Sequence, residues 1–296
     1  MTLYQLIGTI EIGLIYSLVG MAAYLSFRIL NFPDMTVDGS YVLGAAVYAT
    51  CISCGQYHPL TATFIAILCG AFAGGITALL STRFKMLNLL SGIVTMTALY
   101  SINLRIMGKP NIALLNESSI FSWFEGVPKI VPLCLIVLAV WGLLSAFLKT
   151  QIGLALRSTG NNEKMTRAQG INDKILIVIG LSVANALVAL AGALYAQYSG
   201  FADINLGIGT VITGLAALII GEALFAHRRV QDALLACISG AVLFYTITAM
   251  ALNFGDFGLQ TSDQKLLTAI FMTIGMVIPK IRKKFIHLFS AKKDVV

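Results

Sequence analysis

Asp34 and Asp38 stand four residues apart in Asn31-Phe-Pro-Asp-Met-Thr-Val-Asp-Gly-Ser40, with Thr36 between them and Gly39 and Ser40 behind. Carboxylates are expensive in hydrocarbon and must face protein or water, so in an apolar chain they are candidates for a substrate pathway. Ser199-Gly-Phe-Ala-Asp-Ile-Asn-Leu-Gly-Ile-Gly209 repeats the plan in the other half: Asp203, Asn205, Gly207, then a helix of small residues. The chemistry open to these groups is recognition. A helix beginning near Gly39–Ser40 would present backbone donors and a positive dipole end to a substrate carboxylate. Asp38 could instead cap that end itself. Both stretches also fit plain extramembrane loops with helix caps.

A second set of polar residues lies between Lys149 and Lys174, with the cations Lys149, Arg157, Lys164, Arg167 and Lys174. Gly160-Asn161-Asn162 reads as a turn, and Asn161 or Asn162 could cap a short helix starting near Glu163. Gly170 is a natural stop for it. Such a helix, held between membrane spans, suits docking of a cytoplasmic partner; an ordinary basic loop is the alternative.

Catalytic sets are missing. The chain has no GxxxxGK[ST] loop for ATP, no HExxH and no GxSxG. No run of buried Asp, Glu or His suggests a proton relay. Cys51-Ile-Ser-Cys54 is formally a CxxC, but no second pair or nearby histidine cluster supports zinc. Glu222 has Arg228 and Arg229 nearby in sequence, and a salt bridge at the membrane surface is expected there.

The elements that position these residues follow from composition. Of 296 residues, 58% are hydrophobic and 11% charged, with a mean hydropathy of +0.87. Soluble domains carry about 25% charged residues. The fold class is therefore an all-α polytopic membrane protein, a single unit over 1–296, with a basic tail at about 280–296. A net charge of +7 is explained by cations at span ends, so nucleic acid is not an implied partner. With a crossing needing about 20 apolar residues, nine candidate spans appear, near Gln5–Phe27, Asp38–Cys54, Leu60–Thr82, Leu89–Met107, Val127–Leu148, Ile175–Tyr198, Leu206–Ala226, Gln231–Leu252 and Leu266–Pro279. The second is short, so 8 to 10 transmembrane or re-entrant helices are expected. With the central loop inside, sixteen of the twenty lysines and arginines fall on the inner side. The positive-inside rule then predicts a cytoplasmic C-terminus and an external N-terminus, the latter changing side if the second segment does not cross. No cation precedes Arg28, so the first span is read as retained.

Four pieces give the chain a family resemblance. Phe32-Pro-Asp-Met-Thr-Val-Asp-Gly-Ser-Tyr-Val-Leu-Gly-Ala45 is similar to the signature after the first span in permease subunits of branched-chain amino acid and ribose type ABC importers. The likeness is to the branch paired with tryptophan- and tyrosine-type solute-binding proteins. Leu156-Arg-Ser-Thr-Gly-Asn161 through Ala168-Gln-Gly-Ile-Asn172 resembles the family's cytoplasmic loop, Gly214-Leu-Ala-Ala-Leu-Ile-Ile-Gly-Glu222 its small-residue span, and Lys265-Leu-Leu-Thr-Ala269 leading to Pro279 its last span. The loop departs from the EAA pattern: Glu163 stands seven residues before Gly170, with Lys164 and Met165 in place of alanines.

The resemblance implies a transport subunit in the bacterial inner membrane. It would work as a homodimer with two cytoplasmic ATPase subunits, which hold ATP and Mg, and an external solute-binding protein. The chain itself would hold no cofactor or metal and would not be an enzyme. An aromatic amino acid is the expected solute; a sugar, nucleoside or branched-chain amino acid is the alternative, and an ion-coupled transporter or channel a further one. Asp34, Thr36, Asp38, Gly39, Ser40, Asp203, Asn205 and Gly207 are the pathway candidates. Arg157, Asn161, Glu163, Arg167 and Gly170 are the candidates for ATPase coupling.

Overall fold

Lipid offers no water to a backbone amide, so an apolar segment closes its hydrogen bonds within itself as a helix. The computed structural model describes residues 3–55, 57–115, 117–124, 126–225, 229–253 and 265–273, and most of them are helical. α1 (Leu3–Ala23) continues into a π-helical turn over Tyr24–Ile29. α2 (Thr36–Ser53), α3 (Pro59–Thr82) and α4 (Asn88–Met107) complete the first half. After strand β1 (Asn111–Ala113) and a 3-10 turn at Ile120–Phe124 come α5 (Ile130–Lys149), α6 (Gln151–Asn161), α7 (Glu163–Ala168) and α8 (Asp173–Ser199). Strand β2 (Phe201–Asp203), α9 (Thr210–Leu224) and α10 (Val230–Asn253) follow, and residues 265–273 are helical as well.

Among the described residues, six helices are long and apolar enough to cross a membrane: α1 with its π turn, α3, α4, α5, α8 and α10. The chain is an all-α multi-pass membrane protein, as its composition predicts. Two of the nine expected segments start elsewhere than their sequence suggests. α2 starts at Thr36, two residues before the expected Asp38, and its first turn carries that aspartate. α9 starts at Thr210 rather than Leu206 and has only 15 residues, about 22 Å of rise. Gly207 and Gly209 lie in the turns that precede it, and Gly209 adopts the left-handed conformation (φ 89°). The stretch after residue 273, which holds the expected end of the last span and the basic tail, lies outside the described residues.

α8 is the central post. α1, α2 and α3 all pack on it, while α1 also packs on α9 and α10, so the two halves of the chain interleave. Small residues make this possible. A Cβ on Gly44 would lie 2.0 Å from the Ala189 carbonyl oxygen, and one on Gly192 1.9 Å from that of Tyr41. α2 and α8 therefore cross with their backbones in direct contact, the close approach that stabilises helix pairs where hydrophobicity supplies no drive.

At one end of the bundle, β1 and β2 pair antiparallel with Asn111 opposite Asp203. At the other, Arg28 from the end of α1 makes a paired guanidinium–carboxylate contact with Glu222 near the end of α9. This corrects the expected partners of Glu222: Arg228 lies outside the described residues, and the carboxylate turns to a cation 194 positions away.

Candidate functional site

The site begins where α1 stops. Pro33 offers no amide hydrogen and discourages helix at the residue before it. Residues 31–35 are irregular, with Asn31 at φ 53°. They are nonetheless inside the protein: Phe32 and Asp34 are buried, and Asp34 has no exposed surface. Irregular backbone survives at such depth only when protein encloses it. The Asp34 side chain supplies much of the order. Its Oδ1 accepts from the Thr36 amide at 2.8 Å, closing an Asx turn, and its Oδ2 accepts from Asn185 Nδ2 at 2.7 Å. Thr36 Oγ1 lies 2.7 Å from Thr77 Oγ1 on α3. The first turn of α2 is thereby pinned to α3 and to the middle of the 27-residue α8.

Asp38 lies one turn further on and does not cap its own helix. Oδ2 accepts from the Gly209 amide at 3.0 Å and Oδ1 from the Val211 amide at 2.8 Å. A carboxylate from the first half thus caps a helix in the second half, satisfying donors that a helix start leaves open. Gly207 lets the segment before α9 come close: a Cβ there would lie 2.1 Å from the Asp38 carbonyl oxygen. From this junction the two short helices diverge. α2 runs toward the end of α4, where Thr50 Oγ1 donates to the Ile106 carbonyl, and α9 runs toward Arg28. α2, with 18 residues, and α9, with 15, thus start from one junction inside the bundle.

Beside the junction is a cavity of about 40 Å³, bounded by Asp38, Gly39, Tyr100, Asn103, Gly207 and Ile208. It is water-sized, far below the ~300 Å³ or more that a small-molecule site needs. Asn103 donates to the Gly39 carbonyl at 3.1 Å, and its Oδ1 has no hydrogen-bond partner among the described residues; the same holds for Ser40 Oγ. One turn beyond Asp38, Tyr41 stacks on Tyr16 at 5.6 Å between ring centroids. Tyr245 lies 4.8 Å from Tyr16, and Tyr195 6.1 Å from Tyr41. Four helices thus contribute a tyrosine each to one cluster.

The sequence-predicted pathway residues do not all meet. Asp34 and Thr36 hold α2 to α3 and α8; Asp38, Gly39 and Gly207 form the junction; Ser40 is buried just behind it. Asp203 and Asn205 stand apart. Asp203 Oδ1 accepts from the Asn205 amide at 2.7 Å, and Oδ2 from Asn111 Nδ2 at 3.1 Å, so they brace the strand pair at the bundle's end. Asn103 and Asn185 are legible in the sequence only as polar residues in apolar helices. No pattern marks the tyrosines, because each sits on a different helix.

The segment 149–174 is more helical than its sequence suggests. α6 runs through Gly160 and Asn161, so the expected turn is reduced to Asn162, whose extended backbone (φ −156°) ends α6. Asn162, not Asn161, caps α7 by accepting from the Met165 amide at 3.1 Å. Gly170, at φ 78°, ends the turn after α7. Arg157, Asn161 and Glu163 are exposed. Arg167 binds Asp173 at 2.6 Å and Glu163 at 3.4 Å, which raises the basicity of its guanidinium and ties it to the loop's own fold. Gly160 rests on the end of α1, where a Cβ would lie 1.8 Å from the Ile29 carbonyl oxygen. Ser158 Oγ lies 2.8 Å from Thr166 Oγ1, joining α6 to α7.

Among the described residues, six helices long and apolar enough to cross a membrane pack with two further helices joined at Asp38, the fold of a multi-pass membrane protein. The chain belongs to the branched-chain amino acid transport system / permease component family, which it matches over residues 6–278. It is 39% identical over 298 residues to the "Tyrosine transport system permease protein" of Clostridioides difficile (strain R20291), covering 98% of this chain and 99% of that one. It is 36% identical to an uncharacterized protein of Rickettsia prowazekii (strain Madrid E), over 92% of this chain and 96% of that one. The ribose import permease protein RbsC of Escherichia coli (strain K12) is 26% identical over 77% of this chain and 69% of its own. Among solved structures, PsaBC from Streptococcus pneumoniae in complex with Fab has a similar fold, with a TM-score of 0.50 at 18% identity over 92% of this chain and 89% of that one.

Proposed function

We propose that the chain is the membrane subunit of a bacterial ABC importer for an aromatic amino acid. Two copies would pair in the inner membrane, with two ATPase subunits on the side of α6 and α7 and a solute-binding protein on the opposite side. The observation that carries the solute class is the end-to-end similarity to a tyrosine transport system permease protein. ATP and Mg would belong to the ATPase subunits, and this chain would supply the pathway and no catalytic group.

The geometry supports a mechanism for the pathway. At the Asp38 junction the path is closed, since a 40 Å³ cavity cannot hold an amino acid. Opening would part α2 from α9, and the Asp38 contacts are the closest polar link between them. A continuous set of contacts leads there from the loop: Thr166 to Ser158, Gly160 to Ile29, and Arg28 to Glu222 on α9. Movement of an ATPase against the exposed face of α7, which includes Glu163, Lys164 and Met165, would reach α9 along that route. Nucleotide and binding protein then shift the balance of closed and open states only through contacts that differ between them.

The test is uptake into proteoliposomes containing the permease and its ATPase, with the solute-binding protein added outside. Tyrosine should accumulate only with ATP inside, and phenylalanine and tryptophan should compete. Accumulation of ribose but not tyrosine would overturn the solute class. Uptake driven by an ion gradient without the ATPase would overturn the ABC reading.

A further inference from the structure

The ends of α3 and α8 on the side of the central loop enclose a cavity of about 460 Å³ that the transport reading does not use. Leu79 from α3 and Ile175, Val178 and Ile179 from α8 form its wall, and Arg83 and Lys174 stand at its rim. The wall is only partly covered: Leu79 is 45% and Ile175 56% exposed. Both rim cations are exposed, and neither forms an ion pair among the described residues. The nearest carboxylate in sequence, Asp173, is already held by Arg167. Two uncompensated cations thus sit at the ends of membrane-crossing helices, directly above an exposed aliphatic wall.

That pairing selects a class of ligand. A small soluble anion would use the cations and leave the wall wet. A neutral acyl chain would cover the wall and leave the cations unmatched. A molecule with an anionic head and aliphatic tails satisfies both, and the site stands where head groups and acyl chains meet. Basic pockets between helices at the cytoplasmic level bind anionic head groups. We propose that this cavity is a binding site for an anionic phospholipid, its phosphate between Arg83 and Lys174 and a tail along Ile175 and Val178. Occupancy would tie the end of α3 to the start of α8.

The experiment uses the full-length chain in a neutral detergent, titrated with phosphatidylglycerol, phosphatidylcholine or inorganic phosphate. Bound lipid is counted by native mass spectrometry and thermal unfolding is followed in parallel. Phosphatidylglycerol should remain bound and raise the unfolding temperature. In R83Q/K174Q its affinity should fall about thirtyfold, while K109Q, which alters a cation elsewhere, behaves as the parent. V178W, which fills the groove and keeps both cations, should lose the lipid as well. Unchanged phosphatidylglycerol binding in R83Q/K174Q and in V178W would overturn the proposal. So would equal binding of phosphatidylcholine, or a phosphate-induced stabilisation as large as that of the lipid, which marks a soluble-anion site.

Discussion

Removing the Asp38 carboxylate tests the junction between the halves. In Asp38→Ala the Gly209 and Val211 amides lose their acceptor at a place that is partly buried. A lost N-cap costs about 1 kcal/mol, and hydrogen bonds to a charged group are worth about 1.5–3 kcal/mol each. Two such bonds with partial relief by water give roughly 2–4 kcal/mol. Asp38→Asn keeps one acceptor oxygen but turns an NH2 toward the other amide, so its cost should be about half. The assay is chemical or thermal unfolding of the purified permease, with ATP-dependent uptake measured on the same preparations. Stability should fall in the order parent, Asn, Ala. If the junction also moves during transport, uptake by the Asn variant should drop by more than its folded fraction does. An Asp38→Ala protein as stable as the parent would refute the cross-chain cap, and stability loss with proportionate uptake would limit Asp38 to anchoring.

Four further outcomes are expected. Proline at Thr166, inside a six-residue helix, costs roughly 3 kcal/mol; ATP hydrolysis should then continue without transport, and fully coupled uptake would exclude α7 as the docking element. Asn162→Ala should give a milder form of that defect, about 1 kcal/mol in loop stability by hydrogen exchange. Gly160→Val places its side chain on the Ile29 carbonyl, where even a Cβ would come within 1.8 Å; it should impair coupling while membrane insertion stays normal, and normal coupling would remove this contact from the proposed route. For orientation, a cysteine at position 162 should react with an impermeant reagent only after the cells are opened, and labelling of intact cells would reverse the topology.

The membrane class was legible from composition, because hydrocarbon solvates neither charge nor open backbone and so leaves its mark on nearly every residue. The full-length helices were legible for the same reason, within a few residues at each end. So was the break at Pro33, since a missing amide and a fixed φ act locally. The short helix after Asn162 and its stop at Gly170 were local as well, although the competing cap at Asn161 was settled only when α6 was found to run through it.

Partners across the chain were not legible. The plan shared by the two aspartate stretches suggested equal roles, yet Asp38 reaches the start of α9 while Asp203 stays in the strand pair at the bundle's end. Glu222 looked toward Arg229 in sequence and found Arg28 in space. The sequence by itself determined what each segment must avoid, namely lipid around a carboxylate and helix through a proline. Only the tertiary structure decided which donor meets which carboxylate, because that depends on how α8 and its close-packed glycine contacts bring distant helix ends to one depth.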